Sequence, residues 1–220
     1  MCSSDLLVKL AGAQQLAGQP QAAINSWEQA VARAEQSGDR QLILLAKSSV
    51  GGACGCLQQR SWAETNLRDA IKLAEEFHDD RALAQAWCGL GHSLAMQGKT
   101  TDALAAFEKA AADPVMKPVA LVNGAAVAGN ATWNERARAA VAGVGRSHEQ
   151  ARLWLRCAET ELRAGDLAHA ETSARSALEL AEELSDPRLR SYATGQLGRA
   201  AELRGDMRAA LDSRSEEHTS

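Results

Sequence analysis

The chain has 220 residues, 45% of them apolar but only 4% aromatic, with 4 Pro and 17 Gly. Alanine dominates the apolar set; it combines the best helix propensity with a very small side chain, so the composition points to closely approaching helices and argues against a sheet. Interleaved basic and acidic residues, 24 against 28, leave a formal charge of −4 that supplies no field for nucleic acid or an anionic membrane, and no apolar run reaches the roughly 18 residues of a membrane span.

The amino end, Met1-Cys2-Ser3-Ser4-Asp5, shows no charged segment followed by an apolar stretch, so no signal peptide is read. Cys2 stands where a mature lipoprotein begins; lipidation and an incidental cysteine after a start codon explain the same letters. Helices are predicted over 4–17, 20–36, 40–57, 60–77, 80–97, 100–112, 117–129, 132–143, 147–164, 167–184 and 187–204, with a stub from 207. The fold class is all-α.

Small residues in the middle of alternate helices repeat at Ala11, Gly51, Gly91, Ala158 and Gly198, 40 positions apart except for 67 between Gly91 and Ala158, where one degenerate unit is hidden. Each follows an apolar residue: Leu10, Val50, Leu90, Cys157 or Leu197. Seven residues later a turn is marked by Gly18, Gly98, Gly165 or Gly205, with Gln58 the exception. After the turn come an alanine column (Ala23, Ala63, Ala103, Ala170, Ala210), a mostly bulky one (Trp27, Leu67, Phe107 and the weaker Ala174) and a closing alanine (Ala30, Ala70, Ala110, Ala177). Antiparallel helices approach closely only where both present small side chains, and the larger residue fills the space left between them.

The segments WCGLGHSLAMQGKTTDALAAFEKAAADP (Trp87 to Pro114) and LGRAAELRGDMRAAL (Leu197 to Leu211) resemble tetratricopeptide (TPR) repeats. The resemblance covers nearly the whole chain. It implies a right-handed α-solenoid of antiparallel helix pairs, a TPR superhelix of about five and a half repeats with a concave face. The repeats are placed at 4–39, 40–79, 80–114, 115–146 (degenerate), 147–186 and 187–213 (truncated), all within one domain over 1–213. Units ending in EQSGDR, EFHDDR and ELSDPR are longer than the usual repeat. This longer-helix form is similar to repeats of bacterial signalling regulators, of eukaryotic polarity and kinesin light-chain proteins, and of arrays preceding caspase-like peptidase domains of the CHAT type. SDPRLRSYATGQLGRAAELRGDMRAAL looks most like the CHAT-associated arrays. Such arrays bind and regulate; the catalytic Cys and His of that family lie in a separate later domain, so no peptidase residue carries over.

The unit 115–146 contains Pro114 at its edge, then Pro118, Gly124, Gly129, Gly143 and Gly145, each of which weakens or interrupts a helix, and a bend is expected there. At the carboxyl end, repeat logic asks the helix from Met207 to continue, whereas the chain reads Arg214 to Ser220, RSEEHTS. That heptapeptide resembles a translated sequencing-adapter oligonucleotide, and 214–220 is set aside from fold reasoning.

Candidate chemistry is sparse. Cys54 and Cys56 are the only close cysteine pair, without the second pair that zinc requires, and small-residue packing explains them better. His78, His92, His148 and His169 lack i, i+4 partners. Gly143 to Arg146, GVGR, follows a helix and lacks a downstream Lys-Ser/Thr, so it reads as a helix terminator. Asn130-Ala131-Thr132 is a glycosylation sequon only in a secreted chain. No cofactor, no metal and no enzymatic activity are expected. Five scattered cysteines, an odd number, suit a reducing compartment, and the cytoplasm is the expected location.

Trp27, Trp87 and Trp154 fall in core columns, while Trp62 and Trp133 either anchor a partner or pack at helix junctions. The expected inner wall holds Val8, Gly12 and Gln15, then Ser48, Gly52 and Gly55, then Gln85, Cys88, His92 and Ala95. In the later repeats it holds Arg152, Arg156, Glu159 and Arg163, then Tyr192, Arg199 and Glu202. The early half is small and neutral, and the later half is positive. Arginine forks grip carboxylates bidentately, so the binding residues are taken to be Gln85, His92, Arg152, Arg156, Arg163, Tyr192 and Arg199, and the partner a protein or an acidic or carboxylate-ended peptide. A solvated face paired with Glu159 and Glu202 is the alternative. The Lys/Asn pattern by which some co-chaperones of the family clamp a terminal Glu-Glu-Val-Asp is absent. A second reading makes the chain the regulatory part of a larger CHAT enzyme or of a signalling regulator, inert by itself.

Overall fold

The computed structural model describes residues 3–50, 60–206 and 208. Among them there are helices and turns and no strand, and two compact units are formed, Met1–Ala120 and Leu121–Ser220. The first contains α1 (Ser3–Leu16), α2 (Pro20–Ser37), α3 (Arg40–Ser48), α4 (Arg60–Phe77), α5 (Asp80–Met96) and α6 (Thr100–Ala110). Helix α7 (Lys117–Ala128) crosses the boundary. The second contains α8 (Ala131–Ala142), α9 (His148–Ala164), α10 (Leu167–Glu183) and α11 (Pro187–Arg204). Within each unit consecutive helices pack on one another, and first helices touch across repeats, α3 against α5 and α9 against α11.

The ends of these helices follow from short-range chemistry. Gly38, His78 and Ser185 take left-handed φ values of 68°, 54° and 53°, and each is followed by an aspartate that caps the next helix. Asp39 accepts from the amides of Gln41 and Leu42, Asp79 from that of Ala82, and Asp186 from those of Arg188 and Leu189. These contacts satisfy amide donors that the first helical turn leaves unpaired. A left-handed residue is costly for His and Ser, and the cap that follows helps to hold the turn.

Packing realises the alanine columns. Ala23, Ala63, Ala103 and Ala170 are buried, as are Ala30, Ala70, Ala110 and Ala177, with Trp27, Leu67 and Phe107 filling the spaces between helices. A Cβ placed on Gly91 would lie 2.8 Å from Cε1 of Phe107, so the aromatic ring of α6 rests directly on the glycine of α5. Ala210 lies outside the described residues.

Polar ties add register between neighbouring helices. Lys47 of α3 reaches Glu35 of α2 at 3.0 Å and Asp69 of α4 at 2.9 Å. Glu64 of α4 accepts from Arg68, one turn on, at 2.6 Å and from Gln97, past the end of α5, at 2.7 Å. Glu171 of α10 does the same with Arg175 at 2.6 Å and Arg204 of α11 at 2.9 Å. Arg40 pairs with Glu76, and Arg146 with Glu183.

Several expectations require correction. Gly124 lies inside α7, as the helix expected over 117–129 has it, and the missing side chain makes a notch for Trp133, whose Cζ3 would sit 2.0 Å from an added Cβ. Trp133 therefore packs at a helix junction, with Arg136 stacked over it at 4.8 Å. Trp87 and Trp154 are only half-buried; the ammonium of Lys109 lies 3.9 Å from the centre of a Trp87 ring, since an indole at the rim covers apolar neighbours while exposing one face to a cation. Leu10, the apolar residue before Ala11, is 47% exposed. The helix expected over 40–57 is described only as far as Ser48, and Gly51, Gly52, Cys54, Gly55, Cys56 and Gln58 lie outside the described residues.

Candidate binding surface

Exposure on the first helices is set by helical periodicity: positions three, four and seven apart share one stripe. On α9, Arg152, Arg156, Glu159 and Arg163 form such a stripe and are all exposed. On α11 the stripe carries Arg188, Tyr192 and Arg199, with Tyr192 67% exposed. The two stripes meet around Tyr192. One groove beside it is lined by Arg152, Asp186, Arg188 and Tyr192, and a second, one turn on, by Tyr192, Gln196, Arg199 and Glu202.

Charge in these grooves is only partly neutralised. Among the described residues, Arg152, Arg163, Arg188 and Arg199 form no ion pair. Asp186 is committed to capping α11 and lies 3.6 Å from Nε2 of His148. Arg156 donates to the side chain of Asn123 on α7. Arg188 did not figure among the residues expected from sequence, although its position one turn before Tyr192 was the available signal.

In the first unit, Gln85 and His92 are both exposed on α5. Gln85 lines a groove between α3 and α5 together with Gln41, Leu44, Leu45, Phe77 and Arg81. Ser48 and Cys88, expected on the same wall, are nearly buried, because at their positions the helical stripe has turned towards the neighbouring helix. There a hydroxyl bonded to its own backbone and a thiol both pack as small groups.

Behind the arginine stripe lies a feature that periodicity did not reveal. Glu161 of α9 has no exposed surface, and its two oxygens accept from Nη1 of Arg138 on α8 at 2.7 Å and from Oγ of Ser173 on α10 at 2.8 Å. Burial raises its carboxyl above the ordinary range, opposed by those two donors. Burial likewise pushes the Cys157 thiol, one turn earlier, up to about 12, so it is no nucleophile at neutral pH. This buried knot ties α8, α9 and α10 together. Among the described residues no three His, Cys, Asp or Glu side chains cluster to hold a metal, and no helix is long and apolar enough to cross a membrane.

No family model matches this sequence, and no curated protein matches it. Solved structures do. The chain is similar to BtubC (BKLC) from P. vanneervenii with a TM-score of 0.69 and 19% identity, over 89% of this chain and 88% of that one. It is similar to PilW, a widely conserved type IV pilus biogenesis factor, at 0.65 and 19%, over 97% and 91%. A Podosopora anserina kinesin light chain of nearly identical TPR-like repeats matches at 0.54 and 15%, over 99% and 95%. At these identities the likeness shows the fold alone and leaves the resemblance to CHAT-associated arrays unsupported. The fold of this chain is that of the TPR-like helical solenoids.

Proposed function

We propose that this chain is a protein-interaction scaffold that acts by binding and not by catalysis, and that the first-helix wall of its second unit takes an acidic or carboxylate-ended peptide. The observation that carries this reading is the exposed Tyr192 standing among Arg152, Arg188 and Arg199, none of which forms an ion pair among the described residues. A planar guanidinium presents parallel donors that match a carboxylate, and a tyrosine ring supplies rigid contact area at small entropic cost. Arg156 and Arg163 extend the same stripe along α9. In the first unit, the exposed Gln85 amide offers hydrogen bonds to a neutral stretch of a partner, and His92 lies exposed on the same helix. The TPR-like fold supports the reading at its general level.

The test is fluorescence anisotropy of a fluorescein-labelled peptide of alternating Asp and Glu, as free acid and as amide, with the chain and with its Arg152→Glu/Arg199→Glu variant. Wild type should bind, more weakly as salt rises, and the variant should lose at least about tenfold in affinity, since each lost charge-assisted pair contributes on the order of 1–3 kcal/mol. Equal affinity of the two proteins would remove these arginines from the site.

A further inference from the structure

A constant shift of 107 positions carries much of the first unit onto the second: Glu64 falls on Glu171, Arg68 on Arg175, Asp79 on Asp186, Arg81 on Arg188 and Gly91 on Gly198. The correspondence extends to conformation. Glu64 and Glu171 each accept from the arginine one turn on and from a side chain 33 residues ahead, Gln97 or Arg204. His78 and Ser185 share a left-handed φ, and Asp79 and Asp186 share the capping role.

The same shift relates two grooves, one in each unit. The groove between α3 and α5 is lined by Leu45, Asp79, Arg81 and Gln85, and that between α9 and α11 by Arg152, Asp186, Arg188 and Tyr192. Leu45 corresponds to Arg152 and Gln85 to Tyr192, while the aspartate and the arginine two residues after it are constant. The two grooves share this Asp-x-Arg frame and differ around it, at Leu45 and Arg152, at Gln85 and Tyr192, and at Ala82 and Leu189 among other lining positions.

We infer that the α3–α5 groove is a second peptide site, selective for an apolar side chain next to a carboxylate, where its counterpart is selective for two acidic groups. Leu45 and Phe77 are 39% and 37% exposed, and both line the groove over the buried Leu44. Covering such carbon atoms is favourable in proportion to the area removed from water. Arg40, paired with Glu76, is stacked over Phe77 at 5.2 Å and limits that ring's freedom. Asp79 is committed to the amide of Ala82, which leaves Arg81 as the cation without an ion pair among the described residues. The side-chain amides of Gln41 and Gln85 form no hydrogen bond among the described residues and can exchange water for a peptide backbone. The inference rests on the reading of the second unit's wall as a binding face, from which it takes the shared frame.

The experiment is an ¹H–¹⁵N NMR titration of the full chain with two peptides, acetyl-Ser-Leu-Asp-Ser-amide and acetyl-Ser-Asp-Asp-Ser-amide. The Leu-Asp peptide should shift resonances of Leu45, Phe77 and Gln85 with about tenfold preference over the Asp-Asp peptide, and the order should reverse at Arg152 and Tyr192. Leu45→Arg/Gln85→Tyr, which writes the counterparts Arg152 and Tyr192 into the first groove, should shift its preference towards Asp-Asp. Gln85→Tyr alone, on an exposed position, should weaken the preference, and the spectrum itself reports whether each variant is folded. No response in the first unit beside a normal response in the second overturns the second site and leaves the proposed function standing. No response at Arg152 and Tyr192 overturns the proposed function. A first-unit response that neither variant alters overturns the assignment to this groove.

Discussion

Helices α5 and α6 and helices α7 and α8 both lay an aromatic ring on a glycine, yet the two pairs are held together differently. Phe107 lies in the third turn of α6, fully buried on Gly91 and flanked by Ala103 and Ala110. Trp133 lies in the first turn of α8, only partly buried on Gly124. With the ring near the hairpin, the rest of α8 buries Ala137 and Val141, and polar groups join them. Arg138 reaches the buried Glu161, and Gln150 donates to the Val141 carbonyl at 3.0 Å. Asn134 is 2% exposed, and neither polar atom of its amide finds a partner among the described residues. A regular repeat is closed by shape, and this irregular one by shape together with directed hydrogen bonds, at the cost of an unpaired buried amide.

The largest expected difference between the pairs comes from removing the rings. Phe107→Ala should cost about 3–5 kcal/mol in urea unfolding, with Trp133→Ala costing less than half as much because part of the indole is already in water. Equal losses would erase the distinction between a buried and a junctional ring.

Glu161→Ala strands Arg138 and should cost about 3 kcal/mol, close to the loss expected for breaking any buried pair. Its pH dependence is opposite to that of the exposed ties. Because burial raises the Glu161 carboxyl, its contribution is greatest below its ordinary value of 4.5 and declines as pH rises through the raised value. Glu171 is lowered, first by Arg175 and also by Arg204, so its contribution is present above 4.5 and is lost on acidification. Relative to wild type, Glu161→Gln should therefore gain in melting temperature between pH 4.5 and 7, and Glu171→Gln should lose over the same interval. Parallel curves would show that Glu161 is solvated more than its geometry implies.

Adding one methyl group probes the two notches directly. Gly91→Ala and Gly124→Ala should each cost about 1–3 kcal/mol by forcing the ring aside, the second with a red shift of tryptophan fluorescence as Trp133 meets water. An unchanged emission maximum would mean that the indole has another seat. The smallest expected effect is a gain: Asn134→Leu removes two buried unpaired atoms and should stabilise the chain by about 1 kcal/mol in a thermal melt. A lower melting point would indicate that the amide is bonded after all.

The repeat columns made most of the helices legible before any coordinates, because alanine, glycine and aromatic residues at fixed spacing admit few ways of packing. The stripes Arg152, Arg156, Arg163 and Tyr192, Arg199 were legible for the same reason: surface residues on a helix obey its period whatever surrounds it. Trp87, Ser48 and Cys88 were misread because the angular position that separates wall from core depends on how closely the neighbouring helix approaches. Glu161 escaped notice because a glutamate in a helix reads as solvated until a donor from another helix is found beside it.

The sequence by itself determined the all-α class, the pairing of small with bulky positions and the turns at Gly18, Gly98, Gly165 and Gly205, since these depend on local propensity and period. Only tertiary structure decided that Gly124 seats Trp133, that Glu161 is enclosed by Arg138 and Ser173, and that Arg188 shares a groove with Arg152. Each of these joins residues on different helices, and the distance between helices is set by the summed packing of all their side chains, which no single segment encodes.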